Sequence, residues 1–200
     1  MKAIIFDMYG VILKDPEGGL MPFVNRFFPD LQPADVYPHW RKANVGELSS
    51  LDFFRNLGFE GNLNKIEKEY LDTIEIDMSF YSAAETLRKY YRLALLSNDL
   101  SEWSSYLRDK FGINRYFDTV VVSGDVRLQK PDLRIFKLAL DRLTLPARGC
   151  IYIDDRRKNL AVAESLGMET ILFNSRNVEY DGRTVFCFNE LVDALVPNKC

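Results

Sequence analysis

Histidine and cysteine are scarce in this chain of 200 residues, which has one histidine (His39) and three cysteines. A single histidine has no companion for a histidine-based metal centre, so His39 is expected to be a packing or surface residue. Cys150, Cys187 and Cys200 are odd in number and far apart, and are taken as reduced thiols, with terminal Cys200 exposed. An excess of positive charge is also missing. The 26 basic and 29 acidic residues leave a net charge of −3, which argues against broad nucleic-acid binding. A small anion held by local cations stays compatible with that balance. No apolar run approaches the ~20 residues of a membrane span, and Ala3–Phe6 is far too short for a signal peptide. Hydrophobic residues at 47% and charged ones at 28% exclude a disordered chain. The expectation is a cytoplasmic globular protein with one core and a modest insertion. A homodimer is compatible with this composition, which does not decide it.

What is present is a change of pattern along the chain. Short continuous apolar runs at Ala3–Phe6, Leu93–Leu96, Thr119–Val122, Cys150–Ile153 and Thr170–Phe173 suit strands buried on both faces. Helical patterns separate the last four, at 102–111 with Ser101 as N-cap, at 132–143, and at 157–166 ending on Gly167. Strands alternating with helices predict an α/β protein with a Rossmann-like parallel sheet. Thr184–Phe188 is expected as an edge strand, and Glu190–Leu195 as a final helix. Residues 15–85 differ: Phe23, Val24, Phe27, Phe28, Trp40, Phe53, Phe54, Tyr70 and Leu71 fall at helical spacings punctuated by prolines. Ser49 with Asp52 three residues later resembles a capping box. The expected division is a core of 1–14 and 86–200, with a small helical cap at 15–85 inserted after the first strand. A cap there sits beside the carboxyl ends of the strands, where parallel sheets bind ligands.

The chemistry-bearing residues follow the strands. The first run ends in Asp7-Met8-Tyr9-Gly10, the second in Ser97-Asn98-Asp99, and the fourth in Asp154-Asp155, while Lys130-Pro131-Asp132 follows the third. All these groups reach the same rim of a parallel sheet. Carboxylates crowded there raise one another's pKa, and Lys130 offsets one of them. Hard oxygen ligands suit Mg²⁺, and an aspartate at such a site is a plausible nucleophile toward phosphorus.

The segments Phe6-Asp7-Met8-Tyr9-Gly10-Val11, Leu96-Ser97-Asn98, Lys130-Pro131-Asp132 and Ile153-Asp154-Asp155 with Asn159 resemble the four ordered motifs of the haloacid dehalogenase superfamily. The stretch from Lys130 to Phe136, followed by Ile153–Asn159 and Ser165-Leu166-Gly167, is most similar to its small capped sugar-phosphatases. The resemblance implies Asp7 as nucleophile and metal ligand, with the Tyr9 backbone carbonyl and Asp155 as further ligands. Asp154 would act from behind them, and Ser97, Asn98 and Lys130 would grip the phosphoryl group of a small phosphorylated metabolite. One position departs from the phosphatase pattern. The usual second aspartate, two residues after the nucleophile, is Tyr9, a poor base at neutral pH because its ordinary pKa is about 10. Tyrosine at that position is shared with the dehalogenase branch, so a 2-haloacid dehalogenase is one alternative; a weak or non-catalytic binding protein on the same fold is another.

Residue by residue, the bland readings are these. Asp99 and Asp132 are expected to open helices, Asn159 to fix the loop after Asp155, and Arg156–Lys158 to form a solvated face. Gly10 is expected at a turn that other residues resist. Phe23, Trp40 and Phe54 are expected to pack inside the cap.

Overall fold

The computed structural model of the chain describes residues 2–14 and 19–197. The expected exposure of Cys200, and residues 15–18 at the start of the cap, lie outside these. Six parallel strands form one sheet: β1 (Lys2–Phe6), β2 (Tyr91–Ser97), β3 (Thr119–Val122), β4 (Cys150–Asp154), β5 (Glu169–Phe173) and β6 (Thr184–Val185), in the spatial order β3-β2-β1-β4-β5-β6. The sheet therefore winds outward in both directions from between β1 and β4, the arrangement that opens a crevice at the carboxyl ends of those strands. Phe6 lies opposite Leu95 on one side and Ile153 on the other, so three strand ends are level there.

Alternation along the strands builds two apolar layers. Ile4, Phe6, Leu93, Leu95, Ile151 and Ile153 face one layer, which includes Phe80 and Phe188. Ala3, Ile5, Ala94, Leu96, Tyr152 and Leu172 face the other, with Ile135, Phe136, Leu160 and Ala163. The covering helices are α5 (Ser79–Leu87), α6 (Ser101–Lys110), α8 (Leu133–Leu143), α9 (Arg157–Ser165) and α10 (Phe188–Leu195), with the short α7 (Ser123–Val126) after β3. Asp132 caps α8 as expected, accepting from the Arg134 N–H. Leu100, not Ser101, occupies the N-cap of α6. The expected edge strand is only two residues long, because Phe186 and Cys187 already turn into α10.

Between β1 and β2 lie α1 (Met21–Asn25), α2 (Pro33–Asn44), α3 (Ser50–Asn56) and α4 (Leu63–Asp72). Ser49 caps α3 through the Asp52 N–H, as its spacing predicts. Pro38 does not end a helix but sits inside α2, giving up one backbone hydrogen bond there. Phe23, Phe54, Phe59 and Tyr70 interlock as the core of this layer. The chain leaves the sheet at Leu13 and Lys14 and returns antiparallel at Glu75 and Ile76. Helix α5 then packs on the core, with the Phe80 ring against Phe6, Tyr116 and Phe188. The apolar face of α5 thus matches the sheet layer.

The cap is docked firmly on the core. Trp103 of α6 inserts between Phe54 and Tyr70, and its indole N–H donates to Glu67 at 2.7 Å. At the end of α2, a Cβ on Gly46 would lie 2.3 Å from the Gly124 carbonyl oxygen, so backbone meets backbone at that contact. Among the described residues no helix is long and apolar enough to cross a membrane.

Candidate active site

Asp7 follows β1 directly, Ser97 ends β2, and Asp154 ends β4 with Asp155 next in the chain. Because β1 lies between β2 and β4, residues up to 148 positions apart become neighbours without any long side chain having to reach. Lys130 arrives from the loop before α8, where the Lys130–Pro131 peptide bond is cis. Its ammonium lies 2.7 Å from Asp7 Oδ1 and 3.0 Å from Asp154 Oδ2, with the lysine 4% exposed. Oxygens of Asp7, Asp154 and Asp155 lie within 4.8 Å of one another.

Each carboxylate has a distinct environment. Asp154 is saturated: it accepts from the Tyr152 hydroxyl, from Asn159 Nδ2 at 3.0 Å, from the Arg156 N–H at 2.8 Å and from Lys130. Asn159 therefore holds Asp154 and not the loop after Asp155. Asp155 pairs through Oδ2 with Arg176, while its buried Oδ1 has no hydrogen-bond partner and lies 3.8 Å from Arg156 Nε. On Asp7 the Lys130 ammonium and the Met8 N–H both hold Oδ1, leaving Oδ2 for other work. Gly10 takes φ +78°, and a Cβ there would lie 2.5 Å from Asp155 Oδ2, so glycine serves both the turn and the carboxylate packed against it.

One buried ammonium cannot compensate all this charge. Burial pushes the Asp7 carboxyl up to about 8, against the pull of Lys130 and with the push of Asp154 and Asp155. Burial also raises Asp155, with Arg176 opposing. Asp154 resists burial through Lys130, Tyr152 and Asn159, and ends below the ordinary carboxylate range. Burial pulls Lys130 down, but Asp154 and Asp7 outweigh it and hold the ammonium charged. The arrangement is an ion pair, Lys130–Asp154, beside two carboxyls that lack full compensation. A hard divalent cation fits these oxygen donors, and the orphaned Asp155 Oδ1 is a ready ligand atom.

Above this cluster opens a cavity of about 680 Å³, within the range of small-ligand sites. Asp7, Tyr9, Asn98 and Lys130 line it, whereas Ser97, Asp154 and Asp155 lie buried beneath. Ser97 Oγ is fully enclosed and has no hydrogen-bond partner. Asn98 lines the cavity and also fixes the lysine: its Nδ2 donates to the Lys130 carbonyl at 2.9 Å and its Oδ1 accepts the Lys130 N–H at 2.7 Å.

Other sequence readings change more. Asp99 stands one residue before Leu100, the N-cap of α6, and does more than open that helix. It lines the cavity and accepts from the Tyr9 hydroxyl at 3.3 Å, and burial pushes its carboxyl well above the usual range. Arg156 and Lys158 are exposed as expected and also line the cavity, and Trp40 lines it while Phe23 and Phe54 stay in the cap core. His39 is half-buried and outside the lining. Sequence alone does not single out Arg176, Tyr152 and Asn44. Tyr152 looked like one more apolar strand residue, and Arg176 carries no local signal, since its partner is 21 residues away.

A family model for haloacid dehalogenase-like hydrolases matches residues 1–167. The chain is 30% identical to (S)-2-haloacid dehalogenase 4A of Burkholderia cepacia, over 87% of this chain and 83% of that protein. It is 36% identical to the glyceraldehyde 3-phosphate phosphatase of Methanothermobacter thermautotrophicus, over 46% of this chain and 41% of that one. It spans less than half the length of this phosphatase and of further curated relatives that it matches. A HAD family enzyme of Bacteroides thetaiotaomicron, solved with magnesium and inorganic phosphate, superposes with a TM-score of 0.75 at 18% identity, over 90% of this chain and 98% of that one. At that identity the likeness concerns the fold.

Proposed function

The chain belongs to the haloacid dehalogenase-like hydrolases, and from that premise we propose that it is a phosphatase of small phosphomonoesters, with a sugar phosphate as the favoured substrate. The observation that carries this reading is the cluster of three buried carboxyls beside one lysine, at the floor of a cavity large enough for a metabolite. Asp7, the Tyr9 backbone carbonyl and Asp155 are the residues that would hold Mg²⁺, with Asp154 behind them. When bound, that ion supplies Lewis-acid stabilisation of charge on phosphoryl oxygens.

The chain's own groups do the rest. Asp7 Oδ2 is the attacking oxygen: its bond to phosphorus forms as the ester oxygen leaves, and water then cleaves the aspartyl-phosphate. Lys130, fixed by Asn98 and Asp154, faces the reacting oxygens as a preorganised charge. Ser97 Oγ, without a protein partner, has a proton to donate to a phosphoryl oxygen. Tyr9, bonded to Asp99, stands where this family's phosphatases carry an aspartate. The docked cap keeps bulk water from the floor of the cavity.

The test is phosphate release from a panel of esters with and without Mg²⁺, beside an Asp7→Asn control. Turnover by the wild type alone, lost on chelation, supports the reading; metal-independent turnover overturns it. Tyr9 and the dehalogenase relative favour one second reading, displacement of halide from a 2-haloacid by Asp7. Halide release that survives EDTA would establish that reading instead. Neither product, with both proteins inert, would leave a binding protein on this fold.

A further inference from the structure

Beyond the phosphoryl site, the cavity mouth has an unusual charge pattern. Its lining includes Arg41, Arg156, Lys158 and Arg176, while among the described residues its carboxyl groups are Asp7, paired with Lys130, and Asp99, bonded to Tyr9 and Leu100. Arg156 and Arg176 lean on Asp155. Arg41 and Lys158 have no ion pair among the described residues. A chain with a net charge of −3 has thus gathered cations at one opening.

Two further features point the same way. On α2, the residues facing the cavity are Tyr37, Trp40, Arg41 and Asn44, at the spacing i, i+3, i+4, i+7 that marks one side of a helix. That side carries an arginine and an amide where a packing face would be apolar. Asn44 is 2% exposed, yet its Oδ1 has no hydrogen-bond partner, an acceptor enclosed at the cavity without a donor to meet it. Helix α9 adds the second feature. Arg157 and Lys158 stand in its first turn beside Arg156, with no acidic residue there, although a helix N-terminus favours anions and disfavours cations. An anion held at the mouth would relieve that repulsion.

We propose that the cavity mouth is a second anion subsite, formed by Arg41 and Lys158 with Asn44 beside them, and that the substrate is a phosphomonoester carrying a hydroxyl and a second anionic group. A phosphorylated hydroxy acid has that chemistry: the phosphate sits at Asp7, the second anion meets Arg41 and Lys158, and a hydroxyl donates to Asn44 Oδ1. This assignment rests on the phosphatase reading above and narrows its substrate class.

The matched probes are 3-phosphoglycerate and glycerol 3-phosphate, which share a carbon skeleton and differ in a carboxylate. With two exposed cations engaged, the wild type should prefer 3-phosphoglycerate by about tenfold in kcat/KM, and the preference should shrink as salt is raised. The double variant Arg41→Gln/Lys158→Gln should bring the ratio of the two esters toward one. Both cations are exposed, so this variant keeps its fold. Calorimetric binding of both esters to the Asp7→Asn protein reads the subsite without turnover. Equal affinity for the two esters, or a preference unchanged in the double variant, overturns the proposal. Asn44→Ala should weaken binding of both esters, and unchanged affinity would overturn the role given to its carbonyl. If no ester of the panel is hydrolysed under any condition, the phosphatase reading fails, while the calorimetric comparison still decides the subsite.

Discussion

Replacing Lys130 by methionine keeps most of the side-chain volume and removes an ammonium that touches two carboxyls, at 2.7 and 3.0 Å. The lysine side chain is 1% exposed, and the methionine side chain would occupy most of the space it leaves. Removing one partner of a buried ion pair costs about 3–5 kcal/mol, since the charge left behind is uncompensated. For a chain of 200 residues each kcal/mol is worth about 2–4 °C in Tm, which gives a drop of about 6–20 °C. The deficit should depend on pH. Without Lys130, Asp154 and Asp7 hold their protons more tightly in the folded state than in the unfolded chain. The folded variant then binds more protons, and its stability recovers as pH falls. The assay is thermal unfolding of wild type and Lys130→Met in EDTA at pH 5 and pH 8. The double variant Asp7→Asn/Lys130→Met should regain part of the loss, because one of the stranded charges is gone. A Lys130→Met protein that melts within about 2 °C of wild type at pH 8 would refute the charge accounting of the site.

Other expectations follow from the same cluster. In metal-free protein the folded Asp7 carboxyl titrates near 8 against 3.8 ordinarily, so its stabilising contribution is complete below pH 3.8 and is lost as pH rises to about 8. The stability of Asp7→Asn relative to wild type should therefore grow across that window in denaturant titrations with EDTA; a constant difference would contradict the raised value. Arg176→Met should tighten Mg²⁺ binding about three- to tenfold by calorimetry, because the guanidinium and the cation compete for the Asp155 carboxylate. Weaker binding in that variant would mean that Arg176 orients Asp155 for the ion. Tyr9→Asp should raise phosphate release, toward the 10²–10⁴-fold (about) that a positioned acid–base group supplies. No gain in turnover would show that proton transfer does not limit the wild type.

Much of this architecture is legible in local pattern. Buried parallel strands must be apolar on both faces, so Ala3–Phe6, Cys150–Ile153 and the other runs announce themselves within four or five residues. Polar residues directly after such runs, Asp7, Ser97 and Asp154-Asp155, can only sit at the rim of the sheet. Their convergence follows from parallel topology, before any side chain is placed. Helix caps such as Ser49 and Asp132 are equally local.

Tertiary structure alone decided which partner each of those residues has. Asn98 lines the cavity, and only the path of the Lys130 loop reveals that both ends of its amide hold a backbone. Asp99 meets Tyr9 across 90 residues, Arg176 meets Asp155 across 21, and the enclosure of Asn44 depends on how α2 packs against α3 and α7. The division has a physical cause. Burial and periodicity are properties of a segment and leave a trace in its composition, whereas a hydrogen bond or ion pair belongs to two segments and appears only when the fold sets their distance and strips away the water between them.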